Sequence, residues 1–167
     1  AISNFNQWQT ALTYNLAKTV FDIEVIALQS EFNMMKREAY LEAEELIKYV
    51  KMNFIPFFPL ASGFLTGKYK KNVIPKGSRG EWADHMKVMF SDKYYKFIGD
   101  LGKITKRKKI TLPELAISWL LYYENITSVI CGVRSVEQLK MNIKSANILL
   151  DNDDLKQIDD AYSILIS

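Results

Sequence analysis

One cysteine, Cys131, leaves nothing to form an intrachain disulfide, which fits a reducing compartment and a cytoplasmic location. One histidine, His85, gives no histidine cluster for a metal, and alone in a loop it reads as incidental to catalysis. No apolar run reaches the roughly 18 residues of a membrane span, so no membrane insertion is expected. A net charge of +3 is too small to call for a nucleic-acid partner, and no aromatic-studded basic stripe supports one. The densest basic run, Lys103, Lys106, Arg107, Lys108 and Lys109, reads as a solvated helix C-terminus, where cations meet the negative end of the dipole. There is no internal repeat and no low-complexity tract. The opening residues read as structured sequence rather than as a signal peptide. Because the chain opens at Ala1 without Met, the expectation is that the numbering starts partway through a longer protein or after processing.

What is present is ordinary globular material: 167 residues, 49% hydrophobic and 25% charged, enough for one domain with its own core. Trp8, Leu12 and Leu16 recur at helical spacing and predict a helix over 6–18. The nearly continuous apolar run 23–29 predicts a strand buried on both faces, as a parallel sheet requires. Ala39, Ala43, Leu46, Ile47 and Val50 share a face and predict a helix over 38–52. Residues 54–58 read as the next strand, closed by Pro56 and Pro59. The long Gly-, Lys- and Ser-rich stretch 61–92 reads as either a functional loop or a disordered one. Helices are then predicted over 92–107, from the Thr111/Glu114 capping box to Tyr123, from the Ser135/Gln138 box to Asn147, and from Asp151 to Tyr162. A short strand is predicted at 128–131. Alternation of this kind implies right-handed parallel crossovers. Three strands and a stub cannot close a barrel, and their edges lack blunting charges, so the piece calls for a partner of similar size.

Five segments carry a family resemblance. They are Ile2-Ser3-Asn4-Phe5; Gln29-Ser30-Glu31-Phe32-Asn33 with Met34 to Arg37; the run from Ile55-Pro56-Phe57-Phe58-Pro59-Leu60 to Gly67-Lys68; Leu115-Ala116-Ile117-Ser118-Trp119-Leu120-Leu121; and Val129-Ile130-Cys131-Gly132-Val133-Arg134-Ser135 with Glu137, Gln138, Leu139 and Asn142. In order and spacing they resemble the aldo-keto reductase family, and within it the bacterial and potassium-channel-β-like branches. The resemblance implies a single partial domain over 1–167, the C-terminal half of a (β/α)8 barrel. Ser3-Asn4 would end strand five, and strands six, seven and eight would be 23–29, 54–58 and 128–131.

The resemblance also implies a cofactor, NADPH rather than NADH, and residues to hold it. Ser3, Asn4 and Gln29 would bind the nicotinamide carboxamide, which needs both a donor and an acceptor. The competing readings are a helix cap for the first two and a satisfied core amide for Gln29. Phe57 stands where the family usually has Tyr and would stack on the nicotinamide ring, unless it is only a core aromatic. Phe58 replaces a Ser found in many relatives, which shifts pyrophosphate contact to backbone N–H groups from Leu60 to Gly63 and to Lys68. Gly132 and Arg134, before a helix, would hold the adenosine 2′-phosphate, with Gln138 near the phosphate or the adenine and Asn142 near the adenine amine. Gln138 equally completes a capping box. Arg79 resembles a recurrent loop arginine with no role assigned.

The family's general acid tyrosine, with its lysine, aspartate and histidine, comes from strands two to four, which this sequence lacks. None of its nine tyrosines maps to the acid, so no catalytic residue is named and the chain alone should not be an efficient reductase. The first expectation is the cofactor-binding half of an enzyme that reduces a small carbonyl compound. Its partner would be the N-terminal half of the barrel or a second copy of the chain. The alternatives are a non-catalytic half barrel with a nucleotide-binding or regulatory role, and a degenerate product without function.

Overall fold

A computed structural model describes all 167 residues. Strands and helices alternate through the first third: β1 (Ile2–Ser3), α1 (Gln7–Val20), β2 (Ala27–Glu31), α2 (Glu38–Val50) and β3 (Asn53–Phe57). Three short 3₁₀ turns follow, Ala61–Thr66, Arg79–Glu81 and Asp84–Met89. After them come α3 (Asp92–Lys108), α4 (Leu112–Leu121), α5 (Val136–Ser145) and α6 (Asn152–Ile166). The residues fall into two compact units, one of Ala1–Pro59 with Leu120–Gly132, the other of Leu60–Trp119 with Val133–Ser167.

The first unit is a small parallel sheet with helices, an α/β arrangement. The strand order is β1-β2-β3, with Ile2 opposite Leu28, Ser3 opposite Gln29, and β2 in register with β3 from Ala27/Asn53 to Glu31/Phe57. An isolated parallel bridge joins Phe57 to Ile130, whose N–H donates to the Pro56 carbonyl at 2.9 Å. That bridge adds a fourth position to the order. Alternation sets the faces. Leu28 and Phe54 point to one side and are fully buried. There Phe32, Tyr40, Phe54 and Tyr123 form an aromatic cluster with centroids 4.7–5.8 Å apart, in stacked and edge-on geometries. Burial pushes the Tyr40 phenol up to about 12. Gln29, Ile55 and Phe57 face the other side and are only half-buried.

Helix α1 starts at a complete capping box, Asn6 with Gln9. Its predicted apolar stripe is not buried: Trp8 is 64% exposed, Leu12 50%, Leu16 44% and Val20 64%. The strand predicted over 23–29 begins at Ala27 instead. Ile23 donates its N–H to Ala17 O and closes α1, and its side chain and that of Ile26 lie in solvent. The strand predicted at 128–131 reduces to the one bridge at Ile130, since only β3 stands beside it.

The second unit is helical. Phe97, Leu101 and Ile104 of α3 and Ile158, Ala161 and Leu165 of α6 supply its core, with α3 packed on α6. Helix α4 opens as the Thr111/Glu114 motif predicts. Glu114 accepts from the Thr111 N–H and hydroxyl at 2.7 and 2.8 Å. Burial pushes the Glu114 carboxyl up, but those bonds and Lys144 outweigh it and hold it below the ordinary range. Helix α6 opens at Asp151 and Asp154, each accepting from the other's N–H, and runs to Ile166, past the predicted end at Tyr162. No helix is long and apolar enough to cross a membrane.

Candidate functional site

In the first unit Ser3, the last residue of β1, and Asn4 just past it lie beside Gln29, midway along β2, whereas the predicted strand 23–29 would have ended at Gln29. Paired residues of a parallel ladder project to the same face, so the register Ser3/Gln29 sets their side chains next to each other. Asn4 follows in a left-handed conformation, φ 59°, which an Asn tolerates, and its N–H donates to the Gln29 carbonyl at 2.8 Å. The helix-cap reading fails for this pair: α1 is capped by Asn6, and Ser3 and Asn4 are left exposed with polar side chains to offer. Phe57 sits one strand further, opposite Glu31, with Phe58 edge-on to it at 5.2 Å. Phe58 is also left-handed, φ 54°, a strain of about 1–2 kcal/mol for a residue with a Cβ.

Asn33 holds that strained end. Its Nδ2 donates to the Phe58 carbonyl at 3.2 Å, while its Oδ1 accepts from the N–H groups of Met35 and Lys36. Nothing in the sequence pattern marks Asn33 for this, because Phe58 lies 25 positions away. Gly132 is exposed two residues past the bridge at Ile130, with open space where a Cβ would stand.

In the second unit the segment from Leu60 to Lys68 makes a tight turn. Leu60 accepts from the N–H groups of Gly63 and Leu65 at 2.8 and 3.2 Å. Ala61, Ser62 and Gly63 are all left-handed, with φ 45°, 56° and 93°. No backbone carbonyl accepts from the N–H of Ala61 or Ser62. Successive N–H groups in such a turn suit an anion. A Cβ at Gly63 would stand 2.9 Å from the Lys68 ammonium, so glycine is what lets that cation lie close over the turn. Lys68 also lies over the Tyr69 ring, 5.0 Å from its centroid.

Arg134 is exposed just before α5 and has no carboxylate partner. The Ser135/Gln138 box is only half made. Ser135 accepts from the Gln138 N–H at 3.3 Å, but the Gln138 carbonyl oxygen accepts from the N–H of Arg134 at 2.8 Å. Gln138 is therefore partly spent on fixing Arg134, with its amide nitrogen left to donate. One turn on, Asn142 Oδ1 is buried and accepts no hydrogen bond.

Sequence reasoning missed one further pairing in this unit. Ser62 Oγ lies 3.0 Å from His85 Nε2, across 23 positions of chain. No group of three or more His, Cys, Asp or Glu side chains is arranged to hold a metal ion.

Comparison with known proteins gives these positions a context. The chain is similar to a probable voltage-gated potassium channel subunit beta of Arabidopsis thaliana, 33% identical over 129 residues. The similarity covers 74% of this chain and 39% of that protein, so the chain spans about two-fifths of its relative's length. The aldo/keto reductase family matches residues 1–163, and the chain belongs to that family.

Proposed function

We propose that the chain is the cofactor-binding half of an NADPH-dependent aldo-keto reductase acting on aldehydes or ketones. Nicotinamide cofactors are general in the family. The observation that carries the reading is the Ser3/Gln29 register, with Asn4 tied to Gln29, where β1 ends beside the middle of β2. A hydroxyl and two carboxamides there offer the donors and acceptors a nicotinamide carboxamide needs. Phe57 offers a stacking face for the ring. In the second unit the Ala61 and Ser62 N–H groups and Lys68 suit the diphosphate, Arg134 suits a 2′-phosphate, and Asn142, one turn past Gln138, is the residue for the adenine amine. Bound NADPH would supply the hydride; these residues bind and orient it and move no proton. No side chain of this chain is assigned as the acid.

The reading includes a partner. A single partial (β/α)8 domain, from the end of strand five through strand eight, would need an N-terminal half for its acid, its lysine and its missing wall. Two features of the first unit support this. The outer edge of β1 is unpaired, and α1 presents Trp8, Leu12, Leu16 and Val20 to solvent. Covering the exposed half of each aliphatic side chain would contribute about 1 kcal/mol, a drive to be covered. A cytoplasmic location goes with the reading. The relative's description as a channel subunit favours a second one, a regulatory module that binds nucleotide without turnover.

Titrating the chain with NADPH by nicotinamide fluorescence tests both. We expect saturable binding at micromolar or weaker affinity and no carbonyl reduction by the chain alone. Addition of an N-terminal half from an aldo/keto reductase should restore reduction on the first reading and fail to on the second. Reduction by the isolated chain would contradict both.

A further inference from the structure

The turn from Leu60 to Gly67 carries three successive left-handed residues, two of which have a Cβ. Such a turn relaxes toward ordinary backbone unless something holds it. Within the turn, Leu60 accepts from Gly63 and Leu65, and Thr66 Oγ1 donates to the Gly63 carbonyl at 2.8 Å. The side-chain tie from the strained residues to a distant segment is Ser62 Oγ to His85 Nε2 at 3.0 Å. It forms with either imidazole tautomer, because a hydroxyl both donates and accepts.

The segment that bears His85 is well anchored. Met86, its neighbour, is fully buried, and its Sδ lies 4.0 Å from the Tyr69 hydroxyl. That hydroxyl accepts from the Gly80 N–H at 3.2 Å. His85 therefore reaches Ser62 from a fixed base, although its own ring is exposed.

We propose that His85 is a positioning residue for an anion-holding turn. Through Ser62 it keeps two left-handed residues in place, so that the Ala61 and Ser62 N–H groups and the Lys68 ammonium stay presented to a diphosphate. The proposal rests on the nucleotide reading above. The imidazole touches no reacting atom and acts only through Ser62.

Two ligands separate this role from general stability: ADP-ribose, which has the diphosphate, and adenosine 2′-monophosphate, which lacks it. Calorimetric titration of the full chain should show His85→Ala and Ser62→Ala each weakening ADP-ribose about three- to tenfold, the scale of one hydrogen bond. Adenosine 2′-monophosphate should bind as before. The double variant should be no weaker than either single one, since both remove the same bond. His85→Gln, whose amide can reach the Ser62 hydroxyl, should recover most of the affinity. Unchanged ADP-ribose binding in His85→Ala, or an equal loss for both ligands, would overturn the positioning role. Absence of binding of either ligand to the unsubstituted chain would remove the nucleotide reading, and this inference with it.

Discussion

Asp154→Ala lowers the stability of the chain by about 3 kcal/mol, the lower end of what breaking a buried charge pair costs. The carboxylate is fully buried and ties the C-terminus of α3 to the N-terminus of α6. Arg107 meets one oxygen at 2.6 Å and Lys108 the other at 2.6 Å, while the Asp151 N–H adds a bond of 3.0 Å. Removing the carboxylate also leaves the α6 capping box without its returning acceptor. The cost stays at the lower end because the Arg107 side chain is 44% exposed and Lys108 20%, so both cations can turn to water. A urea titration should show a lower midpoint at an unchanged slope.

The same group makes stability depend on pH. Burial pushes the Asp154 carboxyl up, but the bonds from Lys108, Asp151 and Arg107 outweigh it and hold it below the ordinary range. A folded-state pKa below the unfolded value means the stabilisation is present above the unfolded pKa. It is lost as pH falls through the folded pKa. Acid sensitivity below about pH 4 should therefore be weaker in Asp154→Ala than in the unsubstituted chain.

Arg134→Ala weakens NADPH by about 10- to 100-fold, the scale of one charge-assisted bidentate contact, and leaves NADH nearly unchanged. The side chain is exposed and without a carboxylate partner, so its loss leaves no orphaned acid and no hole in the core. Its backbone N–H is already held by Gln138 at 2.8 Å, which puts the discrimination on the guanidinium. Parallel fluorescence titrations with the two nucleotides check this. Equal weakening of both would remove the 2′-phosphate assignment.

Helix starts were the most legible feature, because capping is local. Thr111 with Glu114 and Asp151 with Asp154 are motifs of four residues, and both close as written. Strand β3 was legible to within one residue, since proline marks its end. Strand β2 starts later than its sequence predicts, because Ile23 to Ile26 is apolar enough to read as sheet. Burial of such a run depends on what stands beside it, and the Ile23 and Ile26 side chains lie in solvent. Trp8, Leu12 and Leu16 were correctly read as one face of a helix, but periodicity says nothing about whether a neighbour covers that face. Ser3, Asn4 and Gln29 could be named from the family resemblance, while their adjacency needed the register of β1 on β2. Ser62 with His85, and Asn33 with Phe58, were not legible. Each pair is separated by more than 20 positions, and turn geometry alone brings them together.

Hydrogen exchange of the chain with and without saturating NADPH tests the nucleotide seat most directly. Slower exchange is expected for amides at Ser3–Asn4, Gln29, Ala61–Gly63 and Gly132–Asn142, with the α3–α6 core unchanged. Protection confined to other segments, or none at saturation, would contradict the account.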